Sequence, residues 1–371
     1  MGFQGLKSWI IMRRDEKLLI AAMSVNGLIF GSSQLVNPLY LKDLGLNAAL
    51  IGLLITGQML IGSFLSIIFS TLGDAFGRKK FALISRSISI VGFLLLFLKF
   101  PYGLLIVSLM SGGGLTGALL AEKSLNLDKN MSLSYSISTF LSVVGSLLPM
   151  FIKLRYIILL NLFIVLISLS LISLIKEDYK GGKLDFRLKS FKNVMKLSFE
   201  SLVGLGAGLI LPIISLWFYL KFAKTAAEIS PIFAISNGIL AVSTLFSPKL
   251  SKHLGRVKTI VYTHIIGIIL LILLPLANSF YLASLIFVLR NTFMNMTGPI
   301  FSSFVLNLIP YDERARGQSL INLIDSIPRS FGPFIGGYLF YLGNLNLPFF
   351  ITAVLYTIST IGFYLFFKDV K

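Results

Sequence analysis

The chain of 371 residues contains no cysteine, which excludes disulfides, thiolate chemistry and Cys-ligated metals at once. Histidine is nearly missing: only His253 and His264 occur, and they form no H-E-x-x-H pair. There is no G-x-S-x-G elbow for a serine nucleophile and no G-x-x-x-x-G-K-[ST] loop to cradle a phosphate. Any energy the protein uses therefore comes from an ion or solute gradient, and no cofactor is expected. Charge is sparse as well. Asp, Glu, Lys and Arg make up 13% of the chain against 56% hydrophobic residues, with mean hydropathy +0.87, values outside the range of a water-soluble domain.

What is abundant is the long apolar run. Runs of about 20 residues match the length a helix needs to cross a hydrocarbon core roughly 30 Å thick, where every backbone group must be paired within the segment. The strands of a membrane barrel would instead alternate over about 10 residues with polar lumen positions, and that alternation is missing. Twelve helical spans are expected, near 18–40, 50–70, 80–99, 103–121, 131–152, 156–175, 197–220, 229–247, 259–277, 280–307, 317–342 and 347–367. The N-terminal "MGFQGLKSWIIMRRDEK" lacks a small-residue cleavage site, so the first span is expected to serve as its own insertion signal.

A net charge of +18 would point to nucleic acid in a soluble protein, but here the placement of the cations decides. With a cytoplasmic N-terminus, 24 of the 33 Lys and Arg fall in inner segments and six in outer loops (Lys42, Lys99, Lys153, Arg155, Lys221 and Lys224), while Arg86, Arg290 and Arg329 lie within spans. The excess orients both termini to the cytoplasm of a cell membrane, with the bilayer rather than nucleic acid as the partner. The polar stretch 176–196 reads as a cytoplasmic linker between a six-helix half at 1–175 and another at 197–371.

The halves repeat. "NGLIFG" at 26–31 matches "VGLGAG" at 203–208, "LNAALIG" at 46–52 matches "KTAAEIS" at 224–230, "LTGALLAEKSLNL" at 115–127 matches "MTGPIFSSFVLNL" at 296–308, and "SVVGSLLP" at 142–149 matches "SIPRSFGP" at 326–333. The separations run from 177 to 184 residues, as expected of an internally repeated fold. Two basic loops, "TLGDAFGRKK" at 71–80 and "LSKHLGRVKT" at 250–259, are then one loop seen twice, each joining the second and third span of its half.

The first copy, with Ser70, Asp74, Ala75, Gly77, Arg78, Lys79 and Lys80, resembles the signature G-x-x-x-D-[RK]-x-G-[RK]-[RK] of the major facilitator superfamily. Ser70 replaces the leading glycine and Ala75 the usual cation. In the second copy Pro248 and Lys252 replace the small residue and the aspartate, while Gly255 and Arg256 remain. The resemblance covers the whole chain. It implies an all-α membrane fold of twelve helices in two pseudo-symmetric bundles, a transport function, and a latch in which Asp74 meets the start of the eleventh span near Arg314–Gln318. Physically, Gly77 permits the tight turn, and the cations hold it at an anionic membrane face. "NLIPYDERARGQS" and "SFGPFIGG" resemble segments of the drug and sugar efflux members.

Ionisable groups deep in a span are costly and mark candidate sites. Arg290 falls near mid-depth beside Asn291 and Asn295, and Asp325 and Arg329 are four apart on one helix face with Pro328 between them. Two readings stand: a charge cluster lining a cavity, with Asp325 changing proton or partner, or a permanent ion pair orienting two spans. Glu200, at the start of the seventh span, is a coupling candidate or an interfacial carboxylate. Asn26, Gln34, Gln58, Trp217 and Asn237 complete an expected amphipathic lining. Arg86 and Glu122 are expected at the interface and His264 in a structural role. The leading expectation is a monomeric secondary active transporter exporting a small solute on an ion gradient, with protons as the candidate ion. The alternatives are a sugar or organic-anion uptake permease and, from another class, a membrane-embedded enzyme or a non-transporting sensor.

Overall fold

The computed structural model describes residues 13–107, 113–124, 127–178, 198–307 and 314–368, with only the backbone given at some of them, Asp74, Pro248 and 314–321 included. All regular elements among these residues are helical. They run α1 (Arg14–Ser24), α2 (Asn26–Asp43), α3 (Ala48–Phe76), α4 (Arg78–Phe97), α5 (Gly103–Val107), α6 (Gly113–Lys123), α7 (Leu127–Phe151) and α8 (Leu154–Ser173). After the linker come α9 (Glu200–Ile210), α10 (Ile214–Phe222), α11 (Ala226–Leu254), α12 (Arg256–Leu273), α13 (Phe280–Asn295), α14 (Gly298–Asn307), α15 (Arg314–Tyr341) and α16 (Leu347–Phe367).

The described parts of the twelve expected spans lie on helices with short breaks, and nine spans among the described residues are long and apolar enough to cross a membrane. The interruptions have local causes. Between α1 and α2 the Asn26 amide donates to the Ala22 carbonyl at 3.1 Å and Ser168 Oγ donates to the same oxygen at 3.0 Å, so side chains compete there for a backbone acceptor. Pro212 shapes the short 3₁₀ turn between α9 and α10, and Pro299 opens α14 just after the break that ends α13, because proline has no N–H to continue a ladder. Phe140, Phe151, Leu245 and Leu285 are exposed to the surroundings, as lipid-facing residues are in a bilayer.

The chain packs as two compact units, residues 1–33 with 61–185, and residues 34–60 with 186–371. The first is centred on Leu19, Ile20, Ala82, Leu119, Leu120 and Ile172. The second holds an aromatic cluster of Trp217, Phe218, Phe222, Phe280, Phe287 and Phe349, and a further core around Ile260, Phe304, Phe363 and Phe367. The sequence boundary at 176–196, of which 179–196 lie outside the described residues, would keep segment 34–60 with the first half. In the fold that segment packs with the second unit. Ser215 Oγ donates to the Gln34 carbonyl at 3.3 Å, the Phe334 N–H donates to Thr56 Oγ1 at 2.9 Å, and a Cβ built at Gly52 would sit 2.1 Å from the Pro333 carbonyl oxygen.

Candidate functional site

Gly77 separates α3 from α4 and holds φ at +115°, a conformation that side chains other than glycine's seldom adopt. It is the N-cap of α4, and the first turn of that helix leaves its N–H groups without intrahelical partners. Glu177, just past α8, fills the need: its Oε1 accepts from the backbone N–H of Arg78 and, at 3.2 Å, from that of Lys79. The exchange is reciprocal. Lys79 Nζ donates to the Ser173 and Ile175 carbonyls at 2.8 and 2.6 Å, capping the end of α8 with a cation at the negative pole of the helix. Next door Lys123 pairs with Asp178, whose own N–H donates to Glu122 Oε1 at 2.8 Å. The second copy is bare by contrast. Gly255 has φ +84° but nothing within 4 Å of where a Cβ would be, and Arg256 is exposed. The Asp74 side chain and those of Arg314 to Gln318, the expected latch, lie outside the described residues.

The charge cluster sits on a close helix crossing in the second unit. A Cβ built at Gly204 would be 2.2 Å from the Asp325 carbonyl oxygen, and one built at Gly208 would be 2.0 Å from that of Arg329. Glycines four apart let α9 lie directly on the α15 backbone. Pro333 has no N–H for the Arg329 carbonyl, and that is the oxygen Gly208 covers. On this platform Arg329 Nη2 and Nε donate to Asp325 Oδ1 and Oδ2 at 2.7 and 2.9 Å, a two-pronged charge-assisted contact. The two side chains are 29% and 30% exposed. Glu200, in the first turn of α9, is within electrostatic reach of both. The arrangement offers two carboxylates to one partly open cation, so a proton or a second cation can change the pairing.

Arg290 stands apart from that pair. It is 2% exposed, and Nη2 donates to the Tyr356 hydroxyl at 3.2 Å with the ring 5.7 Å from Cζ. Asn291 donates to Ser236 Oγ at 2.7 Å, and Asn295 donates to the Asn291 side-chain and backbone oxygens at 2.9 and 2.8 Å, tying α13 to α11 and ending on an exposed amide. Asn26, Gln34, Gln58 and Asn237 are half-buried. Trp217 is fully buried in the aromatic cluster and donates from Nε1 to the Leu345 carbonyl at 3.1 Å, so it belongs to the packed core of its unit. Arg86, expected at the interface, is buried because its side chain reaches inward to Ser168 and Thr116.

Sequence reasoning missed Glu177, Asp178 and Tyr356. A signal existed for the first two: carboxylates at the C-terminal end of a helix oppose its dipole, so "KED" directly after an apolar span implies a partner elsewhere. For Tyr356 the signal was a hydroxyl amid a span, which needs a hydrogen bond.

A family model described as Major Facilitator Superfamily matches residues 19–196 and again residues 197–371. The quinolone resistance protein NorA of Staphylococcus aureus (strain MSSA476) is 24% identical over 334 residues, covering 82% of this chain and 84% of the relative. The fold superposes on the nucleoside transporter NupG with a TM-score of 0.79 at 13% identity, over 96% of this chain and 100% of that one. It superposes on a D-xylose-proton symporter with a TM-score of 0.76 at 12% identity, over 94% and 97%.

Proposed function

The chain belongs to the major facilitator superfamily, and on that footing we propose that it is an ion-gradient-driven exporter of small organic solutes in the cell membrane, with both termini cytoplasmic. It is a multi-pass membrane transporter rather than an enzyme. The observation that carries the coupled reading is the partly open Asp325–Arg329 pair with Glu200 beside it on the α9–α15 crossing. Charges at membrane depth are retained where they work, and a carboxylate that exchanges partners links ion movement to rearrangement of the two halves about a central site. Export is supported by the relative named for quinolone resistance, since a transporter confers resistance most simply by removing the compound. In this reading Asp74 and the Gly77–Lys79 turn form the inner gate, and the polar residues Asn26, Gln34, Gln58, Asn237, Asn291 and Asn295 supply hydrogen bonds along the path.

Proteoliposomes loaded with a fluorescent amphipathic cation provide the test. An imposed proton gradient should accelerate dye efflux through the wild type, and Asp325→Asn should abolish the acceleration while retaining slow exchange. Flux that ignores the gradient would exclude coupling. Accumulation of a sugar or organic anion instead would establish the uptake reading, and no flux of any probe would leave a sensor.

A further inference from the structure

Arg86 shows how this fold satisfies a buried arginine with its own atoms. Nε donates to Ser168 Oγ at 3.0 Å, Nη1 to the Ala82 carbonyl at 3.1 Å and Nη2 to Thr116 Oγ1 at 2.8 Å. Every nitrogen of the guanidinium has a neutral oxygen partner. Arg290 is buried to the same 2% exposure and is treated differently. Its Nη2 reaches Tyr356, but Nε and Nη1 have no hydrogen-bond partner among the described residues. Asp325 is already engaged by Arg329. His264 on α12, within electrostatic reach of Arg290, hydrogen-bonds the backbone of Met294 and brings no negative charge. A guanidinium enclosed in this way carries a positive charge with no ion pair among the described residues and unpaired N–H groups together, a combination that folded proteins avoid unless a further group completes it.

The geometry points to a small-anion site at Arg290, formed where α12, α13 and α16 meet, in which the N–H groups of Nε and Nη1 hold one monovalent anion, a halide or a carboxylate. The Tyr356 oxygen accepts from Nη2, which leaves its O–H free to donate to the same guest. One buried cation matches one negative charge, so a dianion such as sulfate is excluded on charge. The guest comes either from the halide of the medium or from the carboxylate of a small organic acid, and the two share this chemistry. The site stands on the packing of the second unit and does not depend on the exporter reading.

Thermal unfolding of the purified full chain in detergent, followed by intrinsic fluorescence at constant ionic strength, tests it directly. Sodium gluconate, a carboxylate much bulkier than acetate, is replaced stepwise by sodium chloride or by sodium acetate. The expected result is a saturable rise in Tm of several degrees, of the form required by binding to the native state alone. It should disappear in Arg290→Met and persist in Arg86→Gln, a protein destabilised but left with the site. A rise with chloride assigns the guest to the halide of the medium, and a rise with acetate alone assigns it to a carboxylate. No difference between anions in the wild type, or an equal response in Arg290→Met, overturns the proposal. Should Arg290→Met not accumulate, bromide-soaked crystals of the wild type decide. An anomalous peak against Arg290 in those crystals, or in crystals soaked with bromoacetate, upholds the site, and its absence in both, in crystals that diffract well enough to show it, overturns it.

Discussion

The α2–α7 crossing of the first unit and the α9–α15 crossing of the second are built by one steric device and loaded differently. In the first, a Cβ at Gly27 would lie 2.1 Å from the Ser138 carbonyl oxygen and one at Gly31 would lie 1.9 Å from that of Ser142. In the second, Gly204 and Gly208 cover Asp325 and Arg329 in the same way. With the glycine pairs equated as in the sequence repeat, Ser138 and Ser142 correspond to Asp325 and Arg329, and the separation there is 187 residues. The sequence match of 142–149 with 326–333 is therefore three positions out of register, because a string of small residues and prolines aligns by composition whereas the crossing aligns by contact. The serines bond within their own unit: Ser142 Oγ to the Thr139 carbonyl at 2.7 Å and Ser146 Oγ to the Gly31 carbonyl at 3.1 Å. Among the described residues at the two crossings, charged side chains occur at the second. Close backbone approach is thus a structural requirement common to both halves, while the polar chemistry was placed in one.

The comparison breaks most severely at the glycines. Gly31→Ala and Gly208→Ala should each lower stability by about 1–3 kcal/mol, because the methyl must push whole helices apart. Thermal unfolding of the two variants should show comparable losses; a loss at one crossing alone would deny their equivalence. Next in size is Arg86→Gln, which removes the donors to Ser168 Oγ and Thr116 Oγ1 and should cost about 1–3 kcal/mol, with no effect on gradient dependence of flux in the folded fraction. Asp325→Asn should cost about 1–2 kcal/mol, since the pair is only partly buried and losing one partner leaves the other uncompensated. Adding Arg329→Gln should restore most of it, and a double-mutant cycle with no coupling would remove the pair from any structural account. Ser142→Ala in the first unit should stay within about 0.5 kcal/mol and leave transport intact. The basic loops fall between the ion pair and Ser142. Glu177→Gln should cost about 0.5–1 kcal/mol as a weakened cap. Hydrogen exchange should then quicken at Arg78–Phe81 and stay unchanged at Arg256–Thr259, where the described residues make no carboxylate cap; unaltered protection at α4 would refute the reciprocal capping.

Much of this was legible beforehand because it is set by local rules. Apolar runs of bilayer length placed the expected spans on what the described residues show as helix, and Gly77 and Gly255 marked turns that need positive φ. Asp325 and Arg329 could be paired from their spacing alone, since four residues bring side chains together on any helix. Glu177 was not legible in the same way. It lies about a hundred residues from the turn it caps, and the basic stretch it opens reads as solvated linker.

Sequence alone determined the membrane class, the span pattern, the two-fold repeat and the intrahelical ion pair, because hydropathy, backbone chemistry and helical periodicity act over a few residues and do not depend on what packs alongside. Tertiary structure decided which buried cations are satisfied, and by what. Arg86 and Arg290 look alike in sequence, each a lone arginine within an apolar run, yet one hydrogen-bonds Ala82, Thr116 and Ser168 and the other, among the described residues, only Tyr356. Those partners stand on other helices, far along the chain or a full turn away. A guanidinium's energy in a low-dielectric interior depends on the handful of atoms within hydrogen-bond reach, and that set exists only once the helices have come together.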